Sequence, residues 1–171
     1  MELDAIRATP GRVGVTIRAM VPEDREPIRR ALTACGAFSE EEVRVALDMV
    51  DAGLHGEYTL LVVDVAGDVC GYACVGRAPL TQCSWYVYWI CVHPETQGIG
   101  LGRALQARVE EFIRESGGLR LVLETSGRAA YQRTRRFYED AGFATVGRIP
   151  DFYGPDDDCV VYSKRVGPSA G

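Results

Sequence analysis

The run WYVYWICV (85–92) is aromatic, β-branched or thiol-bearing at every position. That composition fits a pleated strand far better than a helix. Four residues later the chain enters Gln97-Gly98-Ile99-Gly100-Leu101-Gly102. Leu101, Leu105, Val109, Phe112 and Ile113 then fall on one helical face. A strong strand thus feeds a glycine loop that opens an amphipathic helix. Glycines let backbone N–H groups turn toward one point without Cβ obstruction. A helix start adds unpaired N–H donors and a partial positive charge. Together these predict an anion site suited to a phosphate or pyrophosphate. Two common phosphate loops are excluded. No G-x-x-x-x-G-K-[ST] string occurs, and G-x-G-x-x-G fails at Arg103 when begun at Gly98 and at Leu105 when begun at Gly100.

The same reading extends along the chain. Val13, Val15 and Ile17 alternate with Gly14, Thr16 and Arg18, a strand pattern over 13–20. Pro22, Glu23 and Asp24 open a helix to about Ala34. Ser39 with Glu42 is a capping-box signature for a second helix to about Asp51. YTLLVVDVA (58–66) and VCGYACVG (69–76) flank a short turn and read as an antiparallel hairpin. Gly117-Gly118 stops the long helix. LRLVLET (119–125) is a centrally buried strand and 129–141 a helix. Strands follow at 143–149 and 159–165. Between them IPDFYGPDDD (149–158) reads as a loop, from its Pro, Gly and Asp content. The order is β, α, α, β, β, β, α, β, α, β, β, with no repeat or linker to divide it. We expect one domain over 13–166, with flexible termini at 1–12 and 167–171.

Net charge is −5, which argues against a broad nucleic-acid footprint. The local exception is Arg128, Arg133, Arg135 and Arg136, either a solvated helix face or a site for phosphate groups. Six cysteines include no C-x-x-C pair, so no zinc knuckle or thioredoxin-type site is indicated. Cys70, Cys74, Cys83 and Cys91 lie in apolar text and read as buried free thiols in a reducing compartment. Neither a secretory h-region nor an apolar run long enough for a membrane span occurs. The expected location is the cytoplasm, with no membrane, nucleic-acid or metal partner.

Gln97-x-x-Gly100-x-Gly102, preceded by Val92-x-Pro94, resembles the acetyl-CoA pyrophosphate loop of GNAT-family acetyltransferases. RRFYEDAGF (135–143) resembles that family's second signature, and IRAMVPEDREPI (17–28) its usual start. The resemblance implies an α/β (α+β) fold in one domain, with a mixed central sheet of about seven strands and about four helices. It implies acetyl-CoA as co-substrate. Backbone groups of Ile90, Cys91 and Val92 would meet the pantetheine arm. Gln97, Gly98, Ile99, Gly100, Leu101, Gly102 and Arg103 would form the pyrophosphate loop, and Thr134 and Phe137 would line the far side. Tyr131 and Thr134 stand where the family often has Asn and Ala.

The resemblance also makes Tyr138 the general acid that protonates the coenzyme A sulfur. A phenol, with an ordinary pKa near 10, can donate at neutral pH. The position of the family's occasional Glu base is Tyr86, no base at neutral pH. Glu124, His93 and Asp151 are the remaining candidates. Glu124 stands out because a carboxylate at a buried strand end is costly without a task or partner. A water chain is the alternative. Trp85, Tyr86, Tyr88 and Trp89 must divide between two strand faces. With Asp151, Phe152, Tyr153 and the run Asp156-Asp157-Asp158, they suggest a cationic acceptor with an apolar part. The expected reaction is transfer of acetyl to a primary amine of a small molecule or amino-acid-like acceptor, by direct attack in a ternary complex. The alternatives are acetylation of a protein N-terminus or lysine, and a non-catalytic acetyl-CoA sensor. A homodimer is compatible with all three.

Overall fold

The computed structural model describes residues 14–168. The expected lead-in 1–12 and residues 169–171 of the expected tail lie outside that range. Seven strands and four α-helices follow the expected order. They fall into two compact units. The first takes the chain up to Gly76 together with Trp89–Phe112, and the second takes Arg77–Tyr88 with the chain from Ile113 on. Neither is a continuous stretch of chain, because the cuts pass through two strands and a helix. No helix among the described residues is long and apolar enough to cross a membrane.

In the first unit, β1 (Val15–Ala19), β2 (Thr59–Val65) and β3 (Asp68–Arg77) pair antiparallel in that order. The end of β4 (Ser84–Val92) follows β3, with the His93 N–H on the Cys70 carbonyl. At Gly71 a Cβ would collide with the carbonyl of Cys91, so β3 and β4 approach this closely only because position 71 lacks a side chain. Helices α1 (Arg25–Ala34) and α2 (Glu40–Leu54) supply Ile28, Leu32, Ala46 and Val50 to a core with Leu60, Val62, Tyr72 and Cys91. The expected capping box is present, Ser39 accepting from the Glu42 N–H while Glu42 takes that of Ser39. Pro22–Asp24 forms a separate 3₁₀ turn ahead of α1.

The second unit holds the first half of β4, β5 (Arg120–Ser126), β7 (Asp157–Arg165) and β6 (Ala144–Gly154), adjacent in that order. β5 lies parallel to β4 and antiparallel to β7. Helix α3 (Leu101–Glu115) crosses the cut, and α4 (Gln132–Asp140) belongs to the second unit. Residues 129–131, expected inside that last helix, form a 3₁₀ turn before it.

The expected loop 149–158 needs correction. β6 runs on to Gly154 and β7 starts at Asp157, so only Pro155 and Asp156 turn. Composition misleads here because a break in register between Ile149 and Gly154 absorbs Pro150 and Asp151. Such an irregularity admits residues that a regular ladder would reject. Asp151, at φ +51°, stabilises it by accepting the Asp156 N–H while its own N–H donates to Asp158.

Arg18 on β1 ties the 3₁₀ turn to β2, with bonds to Asp24 at 2.7 Å and Asp64 at 3.0 Å. Burial pushes the Asp24 carboxyl up, but Arg18 and the Val21 N–H outweigh it and hold it below its ordinary value. The pair therefore contributes stability above the unfolded carboxyl value near 4 and loses it as pH falls below that. Arg18→Met strands the buried Asp24 carboxylate, a cost of about 1–3 kcal/mol. Urea unfolding at pH 7 is expected to show that loss and at pH 3 a smaller one. An equal loss at both values would place the effect in packing instead.

Candidate functional site

β4 and β5 are registered over three pairs only, Ser84↔Arg120, Trp85↔Leu121 and Tyr86↔Val122. Val87 and Tyr88 continue β4, and Leu123 and Glu124 continue β5, without pairing across. The strands part after Tyr86. At the parting lies a depression of about 260 Å³ lined by Tyr86, Val87, Tyr88, Glu124 and Tyr153. The aromatics of β4 divide as a strand requires. Tyr86 and Tyr88 share one face, with ring centres 5.7 Å apart. Trp85 is buried, with the Arg77 guanidinium 5.3 Å from its ring centre. In the first unit, Trp89 packs edge-on against Phe38 and donates its indole N–H to Met49.

Glu124 is exposed, which corrects the expectation of a buried carboxylate. Along β5, Leu121, Leu123 and Thr125 point inward, and period two turns Glu124 the other way, into the depression. Among the five lining residues it is the only carboxylic acid. Tyr153 is held protonated, its phenol pushed up by burial, by Cys159 and by the charge of Glu124. Phe152 does not line the depression; it stacks edge-on to Tyr153 and is half exposed.

The acidic run 156–158 is not a free anionic surface. Asp157 is buried, accepts from the Ser126 hydroxyl and pairs with Arg128 at 3.2 Å. Asp158 pairs with Arg148 at 2.5 Å and takes the Asp151 N–H. The arginine cluster divides likewise. Arg128 holds Asp157, and Arg135 donates to the carbonyls of Ser126 and Arg128. Arg133 and Arg136 stand exposed on α4. None of these internal partners could be found from composition, because each depends on β5, β7 and α4 meeting.

Tyr138 is buried on α4, its ring 5.8 Å from Phe143 and 5.9 Å from Tyr162, centre to centre. Burial pushes its phenol well above the usual range. Thr134 and Phe137 are half-buried on the same helix.

In the first unit, the side-chain amide of Gln97 donates to the Val92 carbonyl at 2.9 Å and draws the loop back onto the end of β4. Gly98 and Gly100 have φ of +82° and +94°, and a Cβ on either would meet no atom within 4 Å. Conformation, not crowding, demands glycine there, and the space before the loop is open. Ile99 is exposed, Arg103 is exposed, and Leu101 and Gly102 already belong to α3. Ile90, Cys91 and Val92 lead into the loop from β4, Cys91 and Val92 being buried. His93 caps the 3₁₀ turn Pro94–Thr96, its ring accepting the Glu95 N–H, which is a structural task. No group of three or more His, Cys, Asp or Glu among the described residues could hold a metal.

Solved structures identify this arrangement as a single-domain N-acetyltransferase fold. A GNAT-family protein from Desulfovibrio desulfuricans is 39% identical, with TM-score 0.86 over 89% of this chain and 99% of that one. The ribosomal-protein-S18-alanine N-acetyltransferase of Escherichia coli is 19% identical, with TM-score 0.75 over 91% and 96%. The yncA protein of Salmonella typhimurium, solved with acetyl-CoA, is 23% identical, with TM-score 0.71 over 93% and 98%. The family model described as an acetyltransferase (GNAT) domain matches residues 56–145. The chain belongs to the GNAT acetyltransferase family. No curated protein sequence matches it.

The state of Tyr138 can be checked by alkaline titration of phenolate absorbance. The difference between wild type and Tyr138→Phe should rise only above pH ~10, the ordinary phenol value. A difference already present below that pH would mean that the phenol is neither buried nor shifted.

Proposed function

We propose that the chain transfers the acetyl group of acetyl-CoA to the primary amine of a small cationic acceptor, by direct attack in a ternary complex. The observation that carries this reading is the parting of β4 and β5 after Tyr86, with one carboxylate and three phenols at the opening. A carboxylate attracts the ammonium form of an amine, and aromatic faces favour a cation beside them.

The residues present fit acetyl-CoA. The open loop at Gly98 and Gly100, followed by the start of the 15-residue α3, offers backbone N–H groups to a pyrophosphate. In this reading Gln97 fixes the loop, and N–H groups from Gly98 through Arg103 bind the phosphates. Backbone groups of Ile90, Cys91 and Val92 bind the pantetheine arm, and Thr134 and Phe137 border it. Acetyl-CoA supplies the activated acyl group.

Glu124 takes the proton that the amine must lose, directly or through one water. It replaces the carboxylate that Tyr86 cannot supply. The N–H near Val92 stabilises charge on the carbonyl oxygen as the amine attacks. Tyr138 then gives its proton to the departing sulfur, for which its burial-raised phenol is suited. Tyr86, Tyr88 and Tyr153 hold the body of the acceptor, while Asp151 and Phe152 act indirectly by shaping the hairpin beneath Tyr153.

Calorimetry and steady-state coenzyme A release with an amine panel test this. Gly100→Val places a β-branched residue at a positive φ, a strain of about 1–3 kcal/mol. If the loop must resist that strain to bind, acetyl-CoA affinity falls roughly ten- to hundredfold. Tyr138→Phe should lower turnover by roughly 10²–10⁴-fold with acetyl-CoA affinity unchanged. Glu124→Gln should lower turnover at neutral pH. Normal turnover in both would reject this proton assignment. Selective binding of acetyl-CoA with no release for any amine would instead make the chain a binding module.

A further inference from the structure

Two of the six cysteines meet across 56 residues of chain. Cys35 caps the C-terminus of α1 and Cys91 lies on β4, with their sulfurs 2.9 Å apart. Both are free thiols. A disulfide needs about 2.05 Å between sulfurs, so closure requires a movement of less than ~1 Å. Cys35 can supply it. It sits at the end of its helix, where the chain turns at Gly36 toward α2, and it is only half-buried. Cys91 is held on its strand by the close approach of β3 at Gly71.

The two sulfurs are unequal. Cys91 is the more deeply buried and keeps its proton, its thiol pushed up by its bond to Cys35 and by burial. The contact with Cys91 lowers the Cys35 thiol against the opposing effect of burial. Of the two, Cys35 is therefore the one that gives up its proton more readily, and it is the less buried. The other thiols lack such a partner. Cys70 bonds to the Asp68 carbonyl, Cys159 faces the Tyr153 hydroxyl, and burial raises Cys74 to about 12. The Tyr72 hydroxyl is buried and, among the described residues, has no hydrogen-bond partner.

We propose that Cys35 and Cys91 are a reversible peroxide-oxidisable pair that cross-links the end of α1 to β4. The Cys35 thiolate attacks one oxygen of hydrogen peroxide, forms an S–O bond and expels hydroxide. The product is a sulfenic acid on Cys35. The Cys91 sulfur then attacks the Cys35 sulfur and forms the S–S bond. The S–O bond breaks, and the leaving hydroxide takes the Cys91 proton as water. In balance, two thiols and one peroxide give one disulfide and two waters; two electrons pass from sulfur to oxygen. A thiol reductant reverses the cross-link by exchange. In a compartment kept reduced, a pair of this kind is a redox sensor and not a permanent brace. The proposal does not depend on the acetyl-transfer reading.

The test uses the full chain, fully reduced, exposed to hydrogen peroxide and then alkylated. The expected result is an intact mass lower by two hydrogens and one linked peptide pair joining Cys35 to Cys91. Dithiothreitol should restore the reduced mass. Cys91→Ser should leave a sulfenic acid on Cys35 that dimedone traps, and Cys35→Ser should lose the linked pair. If the Cys91 variant does not fold, the Cys35 variant and the wild-type map suffice. Oxygen added without a link, a link between other cysteines, or reaction only in the urea-unfolded chain would each overturn the proposal.

Discussion

The site depends on one failure of pairing. Parallel β4 and β5 keep register through Tyr86↔Val122 and then separate. Had the ladder continued, backbone groups of Val87 and Tyr88 would be spent on Leu123 and Glu124, and no depression would form between them. The parting has a cost, since every unpaired backbone group in a buried region must find another partner. At the far end of β4 the strand is secured in other ways. Gly71 lets β3 approach the Cys91 carbonyl, and the Gln97 amide takes that of Val92. One strand is thus held firmly where it enters the glycine loop and left open where it faces Glu124.

The parts legible in the sequence were those governed by short periods. Alternation placed β4 and divided Tyr86 and Tyr88 from Trp85. A helical stripe placed α3, and Ser39 with Glu42 placed the start of α2. What failed was whatever depends on distant partners. The segment 149–158 has loop composition yet forms most of a hairpin, because an irregular register makes room for Pro150 and Asp151. Glu124 reads as buried because LRLVLET is apolar around it, yet it falls on the open side of β5. Asp157 reads as one more surface acid, but Ser126 and Arg128 reach it from elsewhere in the chain and let it be buried. The contact of Cys35 with Cys91 spans 56 residues and leaves no local trace.

These corrections narrow the chemistry. The sequence offered five acids near the acceptor: Glu124, Asp151, Asp156, Asp157 and Asp158. Asp157 and Asp158 are neutralised by Arg128 and Arg148, and Asp151 is committed to the backbone of its own hairpin. Glu124 is the acid that lines the depression. The phenols sort in the opposite sense. Burial raises both Tyr138 and Tyr153, so each keeps its proton throughout the range in which a carboxylate has lost its own. A site that must accept a proton from one reactant and return one to another needs groups whose affinities lie far apart. Here burial raises the two phenols. The helix residue is enclosed among aromatic rings, and the strand residue is turned toward water by the period of the strand that carries it.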